Sequence, residues 1–192
     1  MGKGRIEAFS DGVIAIIITI MVLELKVPHG DDLKTLAPLI PLFFSYVLSF
    51  IFIGIYWNNH HHMFQAVKQV NGAVLWANLH LLFWLSLIPF ATGWMGENHF
   101  APLPVAIYGV DLLMAGFAYS ILARALIGHH GKDSTIARAI GKDIKGKISL
   151  AIYIVAISLC LVQSWIALGL YVLVALMWLV PDRRIEKVLG EG

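Results

Sequence analysis

The sequence predicts an all-α membrane protein with six transmembrane helices, on three observations. The chain is 59% hydrophobic and only 14% charged, with a mean hydropathy of +0.79. An average soluble domain is roughly a quarter charged, so these 192 residues carry too little polar surface to coat a globule. They suit one lipid-embedded domain over 1–192. Uncharged runs recur at the length of about 20 residues that a helix needs to cross roughly 30 Å of hydrocarbon. Finally, the positive charges segregate to one side of the layout those runs define.

The first element is expected over about 6–27. Its start, Met1-Gly-Lys3-Gly-Arg5, is like that of a signal peptide, but Asp11 interrupts the would-be hydrophobic core. No small-residue cleavage site follows before Leu23-Glu24-Leu25-Lys26, so the segment is expected to be retained. The second span, 35–59, is uncharged, and the third, 70–96, is interrupted only by His80. The fourth, 102–126, holds Asp111. From Ile148 to Pro181 the chain runs 34 residues without a charge. At about 1.5 Å per residue a single helix would reach about 51 Å, so a hairpin turning at Val162-Gln163-Ser164 is predicted, with spans 146–163 and 164–181. Trp57, Trp94 and Trp165 fall near span ends, where amphipathic rings sit. The basic stretch His129 to Lys147 reads as a solvated, partly helical loop.

This layout puts Lys3, Arg5, Lys68, Arg124, Lys132, Arg138, Lys142, Lys145, Lys147, Arg183, Arg184 and Lys187 on one side and only Lys26 and Lys34 on the other. The positive-inside rule makes the first side cytoplasmic, with both termini there, in a multi-pass protein of the cell membrane. A net charge of +2 is too small to suggest a nucleic-acid partner. Cys160 is the one cysteine, so no internal disulfide is available. His60-His61-His62 point about 100° apart on a helix and cannot converge on one ion, so no metal site is expected. No cofactor is expected either. Without G-x-S-x-G, H-E-x-x-H or paired intramembrane aspartates, the chain is not read as an enzyme.

The first segment breaks the hydropathy pattern. Its uncharged run, Gly12 to Leu23, lies between Asp11 and Glu24 and is short for a lipid-facing span. Charge at membrane depth faces a bundle interior or a wet path. At about 100° per residue, Phe9, Gly12, Ile16, Ile20, Leu23 and Val27 fall within about 40° of Ile16, with Thr19 flanking. Glu7, Ser10 and Asp11 lie more than about 100° away. One face is therefore apolar and another carries a polar patch near the N-terminal end. Spacing alone leaves open whether the apolar stripe faces lipid or a pore. Glu7, Ser10 and Asp11 need buried partners, with Asn58, Asn59, His60, His61, His62 and His80 on offer. Alternatively, Asp11 caps the helix start.

Arg5-Ile-Glu-Ala-Phe9-Ser10-Asp11 is an R-x-x-x-F-S-D motif opening this helix. It resembles the signature of the endosomal and lysosomal potassium channel family, the transmembrane protein 175 family, with its prokaryotic relatives. Tyr56-Trp57-Asn58-Asn59-His60-His61-His62 and Leu85-Ser86-Leu87-Ile88-Pro89-Phe90 agree with it, although the family often has Arg where His62 stands. The resemblance covers most of the chain through the third span. It implies six helices per repeat, a homotetramer of this single-repeat chain, and a first helix lining a central pore for potassium ions. Carried over by position, the apolar constriction falls at Ile16, with Ile20 and Leu23 stacked beyond and Thr19 beside it. The sequence has no T-V-G-Y-G, so an ordinary carbonyl filter is excluded. The rival reading is a secondary transporter or proton-coupled carrier using Asp111 and His80 as coupling residues. Gly116 and Ser120, four apart, suit close helix packing beside Asp111.

Overall fold

The computed structural model describes residues 2–141 and 143–179. Lys142, Arg183, Arg184 and Lys187 of the charge count, and Pro181 at the expected end of the last span, lie outside the described residues. Among the described residues the regular elements are helices: α1 (Gly4–Leu23), a 3-10 segment (Leu33–Leu39) running into α2 (Ile40–Gln65), α3 (Gly72–Glu97), α4 (Pro102–His130), short α5 (Thr135–Ile140), α6 (Ile144–Leu159) and α7 (Ser164–Leu179).

Local chemistry sets these boundaries. Val27 lies beyond α1, contrary to the expected 6–27 span. Pro28 follows it, and the residue before a proline is pushed out of the helical region. Pro41 occupies the first turn of α2, where its missing N–H costs nothing. The Asn71 side chain caps α3 by accepting from the Val74 N–H at 3.0 Å. Asp143, with φ 44°, does the same for α6 by accepting from the Gly146 N–H at 3.2 Å. α2 continues past Asn59, so Asn59 to His62 lie on its last turns. α3 runs unbroken through Pro89.

Among the described residues, four segments are long and apolar enough to cross a membrane: α1, residues 33–65, α3 and α4. Helix α6 and the described part of α7 have 16 residues each, about 24 Å at 1.5 Å per residue. They form a shorter hairpin that turns at Cys160 to Gln163. Outward faces carry Phe43, Phe44, Phe50, Trp76, Phe83 and Phe90 exposed, an apolar surface far too continuous for water.

The bundle is centred on α3 and α4. Helices α1 and α2 pack on α3, α6 packs on α4, and α7 closes against α6, α2 and α4. Ile53, Leu81, Leu85, Ile88, Leu112 and Leu122 are fully buried in this core. Small residues let the helices approach. A Cβ at Gly116 would meet Leu150 Cδ2 at 3.1 Å and the Tyr56 hydroxyl at 3.6 Å, so α4 is closely bounded there by both α6 and α2.

Candidate functional site

Helix α1 has two apolar faces that meet different surroundings. Ile6, Ile14, Ile17 and Met21, with Ser10 among them, are buried against α2 and α3. The other face is left uncovered by its own chain: Phe9 is 53% exposed, Ile16 58%, Ile20 43% and Leu23 76%. Gly12 and Thr19 are exposed with them. The Thr19 hydroxyl donates to the Ile16 carbonyl at 2.9 Å, which spends its proton within the helix and leaves its oxygen lone pairs on the exposed side.

Two hydrogen-bonded chains fasten the N-terminal half of α1. The buried one runs from His60 Nε2, which donates to Asn78 Oδ1 at 2.8 Å, to Asn78 Nδ2, which donates to Ser10 Oγ at 2.9 Å. Because Ser10, Asn78 and His60 are all buried, each depends on the others to offset its desolvation. The second chain lies at the surface. Trp57 Nε1 donates to Asp11 Oδ1 at 3.0 Å, and the indole stacks on His61 with centroids 5.9 Å apart. His61 Nε2 in turn accepts from the Gln65 amide at 2.8 Å. At the tip, Lys3 Nζ donates to the Phe64 carbonyl at 2.7 Å in the last turn of α2 and pairs with Glu7 Oε1 at 3.5 Å. A lysine there satisfies a helix-end carbonyl and complements the helix dipole.

Several sequence expectations are revised. The polar patch is not buried as a unit: Ser10 is, Glu7 is half-buried, and Asp11 is exposed. The N-cap is Lys3, so Asp11, two turns in, does not cap the helix start. His80 accepts from Trp84 Nε1 of its own helix at 3.0 Å instead of reaching α1. The Asn59 amide donates to the Ile55 carbonyl at 2.8 Å, also within its own helix. Asn58 and His62 make no hydrogen bond to α1 among the described residues. Arg5 is exposed at a groove shared with Gly2, Phe9 and Leu79. Asn78, the link of the buried chain, was missed. No hydrogen bond or ion pair joins Asp111 to His80 among the described residues. No three His, Cys, Asp or Glu side chains gather among them in a way that could hold a metal.

The family model described as endosomal/lysosomal potassium channel TMEM175 matches residues 5–89, the stretch that holds α1 and its anchors. Over its full length the chain is 58% identical to a potassium channel of Chryseobacterium sp. (strain P1-3), with 100% of both chains covered. The chain belongs to the TMEM175 potassium-channel family. A potassium channel of Chamaesiphon minutus is 31% identical over 188 residues, 90% of this chain and 91% of that one. The crystal structure of a lysosomal potassium-selective TMEM175 homolog, also from Chamaesiphon minutus, matches with a TM-score of 0.80 at 30% identity, covering 94% of this chain and 97% of that one. The similarity of this TMEM175-family chain to its relatives, in fold and in sequence, therefore extends beyond the residues that the family model spans.

Proposed function

We propose that this TMEM175-family chain is one subunit of a potassium-permeable cation channel. In this reading four copies bring their α1 helices together around a central pore, with both termini cytoplasmic. The observation that carries it is the continuous exposed apolar face of α1, on a helix whose opposite face is locked into the bundle. One helix cannot enclose a pore, so the face needs symmetry mates. Ile16, Ile20 and Leu23 then form stacked rings spread over about 10 Å of the axis, and Ile16 is the narrowest.

The chemistry follows from hydration. An apolar ring holds no water firmly and can gate by dewetting. An ion that passes must give up part of its hydration shell, and potassium releases its water more readily than sodium. A snug apolar ring can thus favour potassium without a carbonyl cage, with modest selectivity. Thr19 supplies hydroxyl oxygens beside the ring. The buried Ser10–Asn78–His60 chain sets the rotation of α1, and with it which residues meet the axis, while the exposed Asp11–Trp57 bond adds only a surface tie.

The test is reconstitution in planar bilayers with potassium on one side and sodium on the other. Wild type is expected to conduct with a reversal potential that favours potassium. Ile16→Asn should wet the ring, raise conductance and shift reversal toward zero. Equal currents and unchanged reversal for the two proteins would remove the Ile16 ring, and a conducting monomer in detergent would remove the four-fold pore. A cysteine at Asp31 should react with an impermeant thiol reagent from outside and one at Lys142 should not; the opposite pattern would invert the orientation.

A further inference from the structure

Asp111 lies on α4, away from the proposed pore helix, and the channel reading gives it no task. It is only 4% exposed, and both carboxylate oxygens are buried without a hydrogen-bond donor among the described residues. It forms no ion pair among the described residues. The ionisable groups near it are phenols: Tyr108 on the preceding turn of α4 and Tyr56 of α2, with Tyr171 of α7 and Tyr153 of α6 beyond them. The Tyr108 hydroxyl is hydrogen-bonded to Ser49 at 3.0 Å, and the Tyr171 hydroxyl donates to the Val105 carbonyl at 3.2 Å. Neither offers Asp111 a cation. A bare carboxylate in such a place would cost several kcal/mol, and an ionisable residue inside the membrane is by default a candidate functional position.

We infer that Asp111 is an intramembrane binding site for a single small positive charge, a proton or an alkali cation, separate from the proposed pore. The positive charge supplies what the protein does not: neutralisation of a carboxyl that no donor reaches. A largely apolar cavity of ≈ 50 Å³ lies between α2, α4 and α6, lined by Phe52, Leu150, Tyr153 and Trp178 and also by Tyr56, the α2 phenol nearest Asp111. Asp111 itself does not line it, so Tyr56 stands between the cavity and the carboxyl. The inference does not depend on the pore reading.

The experiment compares wild type with Asp111→Asn, which keeps the shape and removes the charge, by thermal unfolding in detergent. One arm varies pH from about 5 to about 8 in choline salts; the other titrates potassium or sodium chloride at fixed pH. If a proton neutralises Asp111, the folded form binds a proton that the unfolded carboxylate has released, so wild-type stability falls as pH rises. The unfolding constant then changes by up to about tenfold per pH unit more than in Asp111→Asn. If an alkali cation does so, the wild-type midpoint rises with salt concentration and that of Asp111→Asn does not. Either result supports the site and names its ligand. Identical responses of the two proteins in both arms would overturn it. So would failure of Asp111→Asn to fold, which would mean that the carboxylate is held by contacts of its own. A wild type indifferent to both variables overturns it without any variant.

Discussion

The two faces of α1 are nearly identical in composition and opposite in fate. Ile14, Ile17 and Met21 are buried against α2 and α3, while Ile16, Ile20 and Leu23 stand uncovered. Hydropathy cannot separate them, because both are isoleucine-rich and both lie within one short uncharged run. What separates them is polar: Ser10 sits on the buried face and is held there by Asn78. A single buried hydroxyl thus acts as the register mark of the helix, since turning α1 by one residue, about 100°, would strip Ser10 of its partner. Apolar packing stabilises the helix against the bundle, and the polar chain decides which apolar face is left over.

The largest effect that would test this contrast is Ile17→Asn beside Ile16→Asn. The two positions are adjacent in sequence, but Ile17 is 4% exposed and Ile16 58%. An amide at Ile17 enters a packed interface with no partner, and the expected loss is about 3 kcal/mol or more, from desolvation together with lost packing. Folded, monodisperse protein should be largely lost for Ile17→Asn and retained for Ile16→Asn. Equal yields would mean that the two faces are not distinguished by burial. Ile18, half-buried and about 200° from Ile16, should fall between them.

Next in size is Asn78→Leu. It removes the donor to Ser10 and the acceptor of His60 at once, leaving two buried polar groups unpaired at roughly 1–3 kcal/mol each. The unfolding midpoint should drop clearly, and the reversal potential should shift if α1 loses its rotational register. A midpoint equal to wild type would show that the buried chain does not fix the helix.

How much of this was legible follows from the same geometry. The apolar stripe of α1 was readable because helical periodicity alone generates it. The anchors were readable only as residue types. Residue type points to His60 but not to its partner, and in the third span it favours His80 over Asn78. Those two positions are about 200° apart on α3, so choosing between them requires the rotation of α3 about its own axis, which no local pattern in that uniformly apolar helix reveals. Ser10 and Asp11 read as one patch for a similar reason. The edge of the buried face passes between these neighbours, and it is set by where α2 and α3 lie. Spacing alone places Val27 on the stripe, but Pro28 opposes a helix there, and in the structure α1 ends at Leu23.

A smaller effect is expected at the surface chain. Trp57→Phe deletes the bond to Asp11, which is exposed, so water replaces the lost partner and stability should change by about 1 kcal/mol or less. Asp11→Asn keeps an acceptor for the indole and should change it less still. Either substitution should leave selectivity unchanged, since Asp11 points away from the Ile16 stripe. A change in reversal potential with normal yield of assembled protein would place Asp11 on the ion path and redraw the boundary between the two faces.

The smallest effect concerns Thr19, which borders the exposed stripe and lets the roles of ring and hydroxyl be separated. Thr19→Val is nearly isosteric and removes one hydroxyl. That hydroxyl donates only to the Ile16 carbonyl in its own helix, a bond whose loss leaves the backbone ladder intact, so stability should change by less than about 0.5 kcal/mol. In the proposed pore the oxygen lone pairs of four Thr19 residues solvate an ion that the Ile16 ring has partly dehydrated. Deleting them raises the barrier for potassium and sodium alike, because both ions lose the same oxygens. Thr19→Val should therefore lower current severalfold while reversal under potassium against sodium stays at the wild-type value. If potassium preference collapsed instead, with current preserved, the hydroxyls would set selectivity and the isoleucine ring would serve only as a gate. If neither quantity moved, the exposed face of α1 would meet the axis on the Phe9 and Ile20 side, with Thr19 turned toward a neighbouring subunit.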